Sequence, residues 1–148
     1  MVPIIRQARD TDLSALAALL TELMIHHGVT PLLPERAEAT IATVLRAPNA
    51  WYVVAEIEGR IVGMLQVNER FSTWDAASYG YIEDFCVAEA WRGRRIGTLL
   101  LDHLAMWARG RGWTRLDLDV SASLTDSVRF YARRGYEDTG SLLYRLRL

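Results

Sequence analysis

Residues 51–87 restrict the fold more than any other part of the chain. Two apolar segments, 51–57 and 61–67, flank Glu58-Gly59-Arg60, a tight hairpin whose glycine can take positive φ. A third strand is expected over 79–87, and 71–78 is polar enough to be a loop or a strand end. Helical patterns lie on either side. Leu13, Leu16, Leu19, Leu20, Leu23 and Met24 recur at helical spacing behind Asp10 or Thr11 as cap, and Gly28 ends that helix. A second helix is expected over 35–46, stopping before Pro48. Beyond the strands, Ile96, Leu99, Leu100, His103, Leu104 and Trp107 share one helical face, closed by Gly110 and Gly112. With a strand at 4–8, another at 114–120, a helix at 125–134 and two short strands at 136–138 and 142–148, the order is β-α-α-β-β-β-α-β-α-β. That order implies an α/β protein with a mixed sheet and helices on both faces.

Length and composition narrow the class. A chain of 148 residues with 51% hydrophobic and 24% charged residues suits one globular domain, expected to be residues 1–148. Cys86 is the sole cysteine, which excludes an intrachain disulfide and fits a reducing, cytoplasmic setting. Arg6, Arg9 and Asp10 interrupt what a signal peptide would need, and no apolar run is long enough for a membrane span. All 17 basic residues are arginine, so Schiff-base chemistry on a lysine is excluded. Residues 1–90 carry a balance of −6 and residues 91–148 one of +5, suiting a cationic partner on one half and an anionic one on the other.

The segment after the third strand holds the strongest chemical signal. Arg92-Gly93-Arg94-Arg95-Ile96-Gly97-Thr98 follows a strand and opens a helix. Unpaired N–H groups, the positive end of the helix dipole, glycines that admit close approach and forked guanidinium groups together favour a pyrophosphate. No Gly-Lys-Ser/Thr follows, and the dinucleotide fingerprint is absent.

This stretch resembles the acyl-CoA-binding signature of the GNAT N-acetyltransferase superfamily, Q/R-x-x-G-x-G/A. Arg92 matches its first position and Gly97 its last, while Arg95 stands where the first glycine is usual. Tyr81-Ile-Glu-Asp-Phe-Cys-Val87 is similar to the family's central strand, most closely that of the diamine and polyamine acetyltransferases. Phe130-Tyr-Ala-Arg-Arg-Gly-Tyr136 is similar to its final helix.

The resemblance implies transfer of an acetyl group from acetyl-CoA to an amine within a ternary complex. Main-chain groups of Phe85 and Val87, flanking Cys86, would bind the pantetheine arm where the strand bulges, and residues 92–98 would wrap the pyrophosphate. Glu83 occupies the position of a base, and Asp84 that of an alternative base or ammonium-binding group. On a regular strand the two side chains point to opposite faces, so only a bulge can bring both to one pocket. Tyr131 matches the general acid that protonates the departing thiolate, with Ser127 four residues ahead as a cofactor contact. Leu124 stands where the family often has an asparagine, and Ser123 is the substitute. Cys86 reads as a small core residue.

His26, His27 and His103 lack zinc-like spacing, so no metal is expected. Glu22 and Trp74 are possible pocket residues, whereas Trp51, Trp91, Trp107 and Trp113 belong to core or interface. The expected acceptor is a small cationic amine, with an amino acid, an aminoglycoside-like compound or a protein N-terminus as alternatives. A homodimer is expected, and neither nucleic acid nor membrane as partner. A non-catalytic acyl-CoA sensor of the same fold is the second reading. A nucleic-acid-binding module using Arg92, Arg94, Arg95, Arg109, Arg111 and Arg115 is the third, opposed by the net charge of −1 and the lack of a recognition motif.

Overall fold

The alternation of apolar and polar positions that marks the strands also decides which side of the sheet each residue faces. In the computed structural model, which describes residues 1–148, five strands form one sheet in the order β1-β2-β3-β4-β5. They are β1 (Ile4–Gln7), β2 (Ala50–Ile57), β3 (Arg60–Ser72), β4 (Ala77–Val87) and β5 (Leu116–Leu118). The first four pair antiparallel, and β5 pairs parallel to β4, which makes the sheet mixed. The helices are α1 (Leu13–His26), α2 (Pro34–Arg46), α3 (Ile96–Gly110) and α4 (Thr125–Ala132). Residues 1–118 and 119–148 form two compact units.

Turn chemistry sets the β2–β3 register. Glu58 and Gly59 both have positive φ, 49° and 75°, as a two-residue turn matching strand twist requires. One face of the sheet presents Tyr52, Val54, Met64 and Cys86 to Leu16, Leu19, Leu20, Ala37 and Ile41 of α1 and α2, and all of these are buried. Across the sheet, Gly63 lets α3 approach: a Cβ there would stand 3.1 Å from Leu100 and 3.3 Å from Ile96. Trp51, Trp107 and Trp113 pack edge-on or tilted at centroid distances of 5.0–5.9 Å, and Trp113 Nε1–H donates to Glu69 at 3.1 Å.

Asp12, 6% exposed, ties the entry of α1 to the sheet. It accepts two hydrogen bonds from Arg6, at 2.7 and 3.0 Å, and one from the Arg9 N–H at 2.7 Å. Arg6 also donates to Glu56 at 2.8 Å. The Arg6 guanidinium, ahead of the opposing effect of burial, holds the Asp12 carboxyl below the usual range.

The elements differ from the sequence expectation in three places. The loop or strand end at 71–78 is the tip of a β-hairpin: Phe71 and Ser72 finish β3, and Ala77 begins β4. The strand expected at 114–120 shortens to Leu116–Leu118. The two strands expected at 136–138 and 142–148 do not form, because a strand exists only when it has an edge to bond. Leu142, Leu143, Tyr144, Leu146 and Leu148 are all exposed, so their alternation has no buried face to serve.

Candidate active site

The bulge that the two adjacent carboxylates require is present in β4. Leu65 pairs with Phe85 and Val67 with Ile82, so Gln66 alone stands opposite both Glu83 and Asp84. The alternation running up from Tyr81 and the alternation running down from Cys86 therefore both point to the α1/α2 side. Both carboxylates reach one face, and their surroundings separate them. Glu83 is exposed, with Oε1 3.4 Å from Asn68 Nδ2 and 3.7 Å from Arg70 Nη2. Asp84 is half-buried, and desolvation, reinforced by the neighbouring Glu83 charge, pushes its pKa up. Tyr52, 2% exposed on the same face, has its own pKa raised by burial and by Asp84.

Beyond the bulge the sheet opens. Strand β5 bridges β4 only at Gly80, Tyr81 and Ile82, so residues 85–87 are bridged to β3 alone and the bulged 83–84 to neither neighbour. Cys86 lies in this stretch but faces the core at 5% exposure, and burial pushes its thiol up to about 11. At neutral pH it is not a thiolate, which agrees with its reading as a packing residue.

The turn from β4 into α3 keeps the conformation of a glycine-rich loop without all its glycines. Gly93 has φ 74°, and Arg95 has φ 63°, the left-handed region usually left to glycine. A non-glycine residue there costs roughly 1–2 kcal/mol. Space around Gly93 is open, since a Cβ there would meet nothing within 4 Å. Main-chain N–H groups of the first turn of α3, Ile96 and Gly97 among them, face the turn with the dipole of a 15-residue helix behind them. This is the backbone arrangement that favours an anion. The side chains divide the labour: Arg94 sits over Trp91 at 4.8 Å, whereas Ile96 is 2% exposed and belongs to the core.

Arg92, the first motif position, makes contacts within the chain. Its Nε–H donates to the Val87 carbonyl at 2.9 Å, and Nη2 lies 3.4 Å from Glu22 Oε1. Glu22 also accepts the Glu89 N–H at 2.7 Å. This pair ties α1 to the turn and to the end of β4. Glu22, a possible pocket residue in the sequence, is thus a brace for the loop. Trp74 stands at the far tip of the β3–β4 hairpin, 98% exposed, beside a surface hollow that Asp75, Tyr79 and Arg115 also line. Six residues of strand, Ala77–Ile82, about 20 Å, separate it from the bulge.

Within residues 119–148, α4 carries Tyr131 and ends in a glycine cap. Gly135 has φ 85°, its N–H bonds the Ala132 carbonyl at 3.1 Å, and the Tyr136 N–H bonds that of Tyr131 at 3.2 Å. The cap brings the Tyr136 ring to 5.7 Å from that of Tyr131, with Phe130 at 5.4 Å on another side. Burial, aided by Tyr136, pushes the Tyr131 hydroxyl up to about 12, away from a thiol's ordinary range. Ser127 is half-buried on the same helix; Ser123 is bonded to Ser121 at 2.8 Å, and Leu124 is exposed. His26 and His27 are exposed at the end of α1.

Sequence reasoning missed the β3 side of the site. Gln66, Asn68 and Arg70 carry no motif, and the expected strand ended at 67. Their even-numbered alternation past Val67 was the available signal.

The chain is similar to known proteins in sequence and fold. The GNAT acetyltransferase family model matches residues 14–136. An aminoalkylphosphonate N-acetyltransferase of Salmonella typhimurium is 30% identical over 135 residues, covering 91% of this chain and 85% of that protein. An acetyltransferase of Trypanosoma brucei superposes with a TM-score of 0.79 at 28% identity, covering 99% of both chains. A probable acetyltransferase superposes with a TM-score of 0.89 at 24% identity, over 98% and 97% of the two chains, a likeness of fold. No helix here is long and apolar enough to cross a membrane. The family match across most of the chain, together with the 30% identical relative, makes this protein an N-acetyltransferase belonging to the GNAT family.

Proposed function

We propose that residues 1–148 act as one acetyltransferase domain that moves the acetyl group of acetyl-CoA to the primary amine of a small molecule. The observation that carries this reading is the β4 bulge, with both carboxylates on one face where β5 has ended and the turn into α3 begins. Acetyl-CoA supplies an activated thioester. Residues 92–98 hold its pyrophosphate through main-chain N–H groups, with Arg94 and Arg95 adding charge and Arg92 keeping the turn in shape. Main-chain groups of residues 85–87 align the pantetheine arm, and an N–H there stabilises the carbonyl oxygen as it gains charge. Ser127 contributes a contact from α4.

Asp84 takes the proton of the arriving ammonium and so frees the lone pair that bonds to the acetyl carbon. The second proton leaves to solvent as the amide forms, and Tyr131 regains its own from solvent after giving it to the sulfur. The burial of Asp84 favours the protonated form, which moves its pKa toward that of its task. Glu83, the base that the family resemblance implies, stands beside it as an exposed carboxylate that draws in the ammonium form. As the carbon–sulfur bond breaks, Tyr131 gives its proton to the sulfur. A hydroxyl with a pKa of about 12 is fully protonated at neutral pH, so the donor is always charged with its proton.

The relative acting on aminoalkylphosphonates supports a small primary amine as acceptor. We place the protein in the cytoplasm as a homodimer, with the exposed apolar residues of 142–148 as the contact; sedimentation as a dimer is expected, and as a monomer when the chain stops at 141. The test of the reaction is release of free CoA thiol from acetyl-CoA across diamines, amino acids, aminoalkylphosphonates and aminoglycosides, with acetyl-CoA binding followed by calorimetry. Acceptor-dependent release supports the transferase. Tight binding with no release from any acceptor would leave the acyl-CoA sensor.

A further inference from the structure

The face that carries the two carboxylates also carries a cation. Gln66, Asn68 and Arg70 alternate along β3 toward that face, and Arg70 and Asn68 meet Glu83 there. The order along the row is informative. Gln66 is 5% exposed and donates from Nε2 to Asn68 at 2.8 Å, Asn68 donates on to Glu83, and Arg70 forms the open end. Arg70 has its Cζ 3.7 Å from the centroid of the Tyr81 ring, so stacking fixes where the guanidinium lies. Its contact with Glu83 is long, 3.7 Å, and the side chains are 46% and 44% exposed, so water and ligands compete with it.

We propose that Arg70 receives an anionic group on the acceptor, so that the preferred acceptor is a short zwitterion with its amine at Asp84 and its phosphonate or carboxylate at Arg70. The inference rests on the acetyl-transfer reading above and narrows it. A diamine would bring its far ammonium against the guanidinium, a like-charge contact. An anion there instead meets a forked donor whose geometry matches two oxygens of one group. The donor chain from Gln66 through Asn68 keeps Glu83 oriented while Arg70 changes partner, and the aromatic floor at Tyr81 stays in place.

The test compares kcat/KM for four chain-matched acceptors: an aminoalkylphosphonate, an amino acid with a terminal carboxylate, a diamine and a simple alkylamine. The zwitterions should exceed the diamine and the alkylamine by about 10- to 100-fold, the range of a charge-assisted pair. The two zwitterions then show which anion fits. Arg70→Gln should lower kcat/KM for the better zwitterion by a similar factor, mostly through KM, and several-fold more than for the alkylamine. Arg70→Lys, which keeps the charge without the fork, should recover part of the loss. A diamine turned over better than either zwitterion would overturn the proposal and leave acetyl transfer standing. So would an Arg70→Gln loss equal for all acceptors, the mark of a structural role. Acetyl-CoA binding with no acceptor turned over would remove the acetyl-transfer reading and this inference together.

Discussion

The two halves of strand β4 teach more about this protein than any other pair of regions. From Ala77 to Ile82 the strand pairs with β3, and from Gly80 it is also bridged to β5. There it behaves as ordinary sheet, with Gly80 packed so closely under Trp113 that a Cβ would come within 2.6 Å of the indole. From Glu83 to Val87 the bulge changes the register, β5 is gone, and the residues are the two carboxylates and the backbone leading into the turn before α3. One half is bridged on both sides, whereas the other, where bridged at all, is bridged to β3 alone. The proposed chemistry begins where the ladder stops on one side.

Substitutions can break this division, and apart from loss of the Asp84 carboxylate the largest effect is expected outside the strand. If the open half depends on an acid from α4, Tyr131→Phe lowers kcat about 100-fold and leaves the acetyl-CoA Kd nearly unchanged, as rapid-quench and calorimetric measurements would show. Equal turnover would confine the chemistry to β4. In the closed half, Gly80→Ala overpacks the Trp113 contact and costs roughly 1–3 kcal/mol in denaturant unfolding, with the acetyl-CoA Kd of the folded fraction unchanged. A selective loss of cofactor binding instead would erase the distinction between the halves.

Smaller effects sharpen the comparison. Arg95→Gly removes the left-handed strain and should stabilise the fold by about 1 kcal/mol while weakening acetyl-CoA binding through the lost charge. The smallest effect is a pH-dependent one at Asp84. Its folded pKa lies above the unfolded value, so the stability it contributes is present below about pH 4 and is lost as pH rises through the folded pKa. Asp84→Asn should therefore raise the Tm at pH 7, with the gain fading below about pH 4. A lower Tm at pH 7 would mean that Asp84 is a structural partner.

Much of this was legible in the residues themselves. The strand run, the Glu58-Gly59 turn, the helical faces and the turn at 92–98 are local patterns, and local patterns survive without knowledge of the rest of the chain. Asp84 and Glu83 were legible as candidates, and the need for a bulge followed from having them adjacent. What escaped depends on partners distant in sequence. That Asp84 rather than Glu83 is buried depends on how β3 and Tyr52 pack beside it. That Arg92 braces the loop depends on Glu22, 70 positions earlier. The strands expected at 136–138 and 142–148 failed for the same reason, since alternation supplies a face but no edge to bond.

The most direct test is to measure acetyl-CoA binding and acceptor-dependent thiol release side by side for the natural protein and for Asp84→Asn. The account predicts that the variant binds acetyl-CoA within about two-fold of the natural Kd and loses about 100- to 1000-fold in kcat, more than Glu83→Gln does. Turnover by Asp84→Asn equal to that of the natural protein would contradict the assignment of the proton acceptor. Loss of acetyl-CoA binding along with turnover would contradict the division of β4 on which it rests.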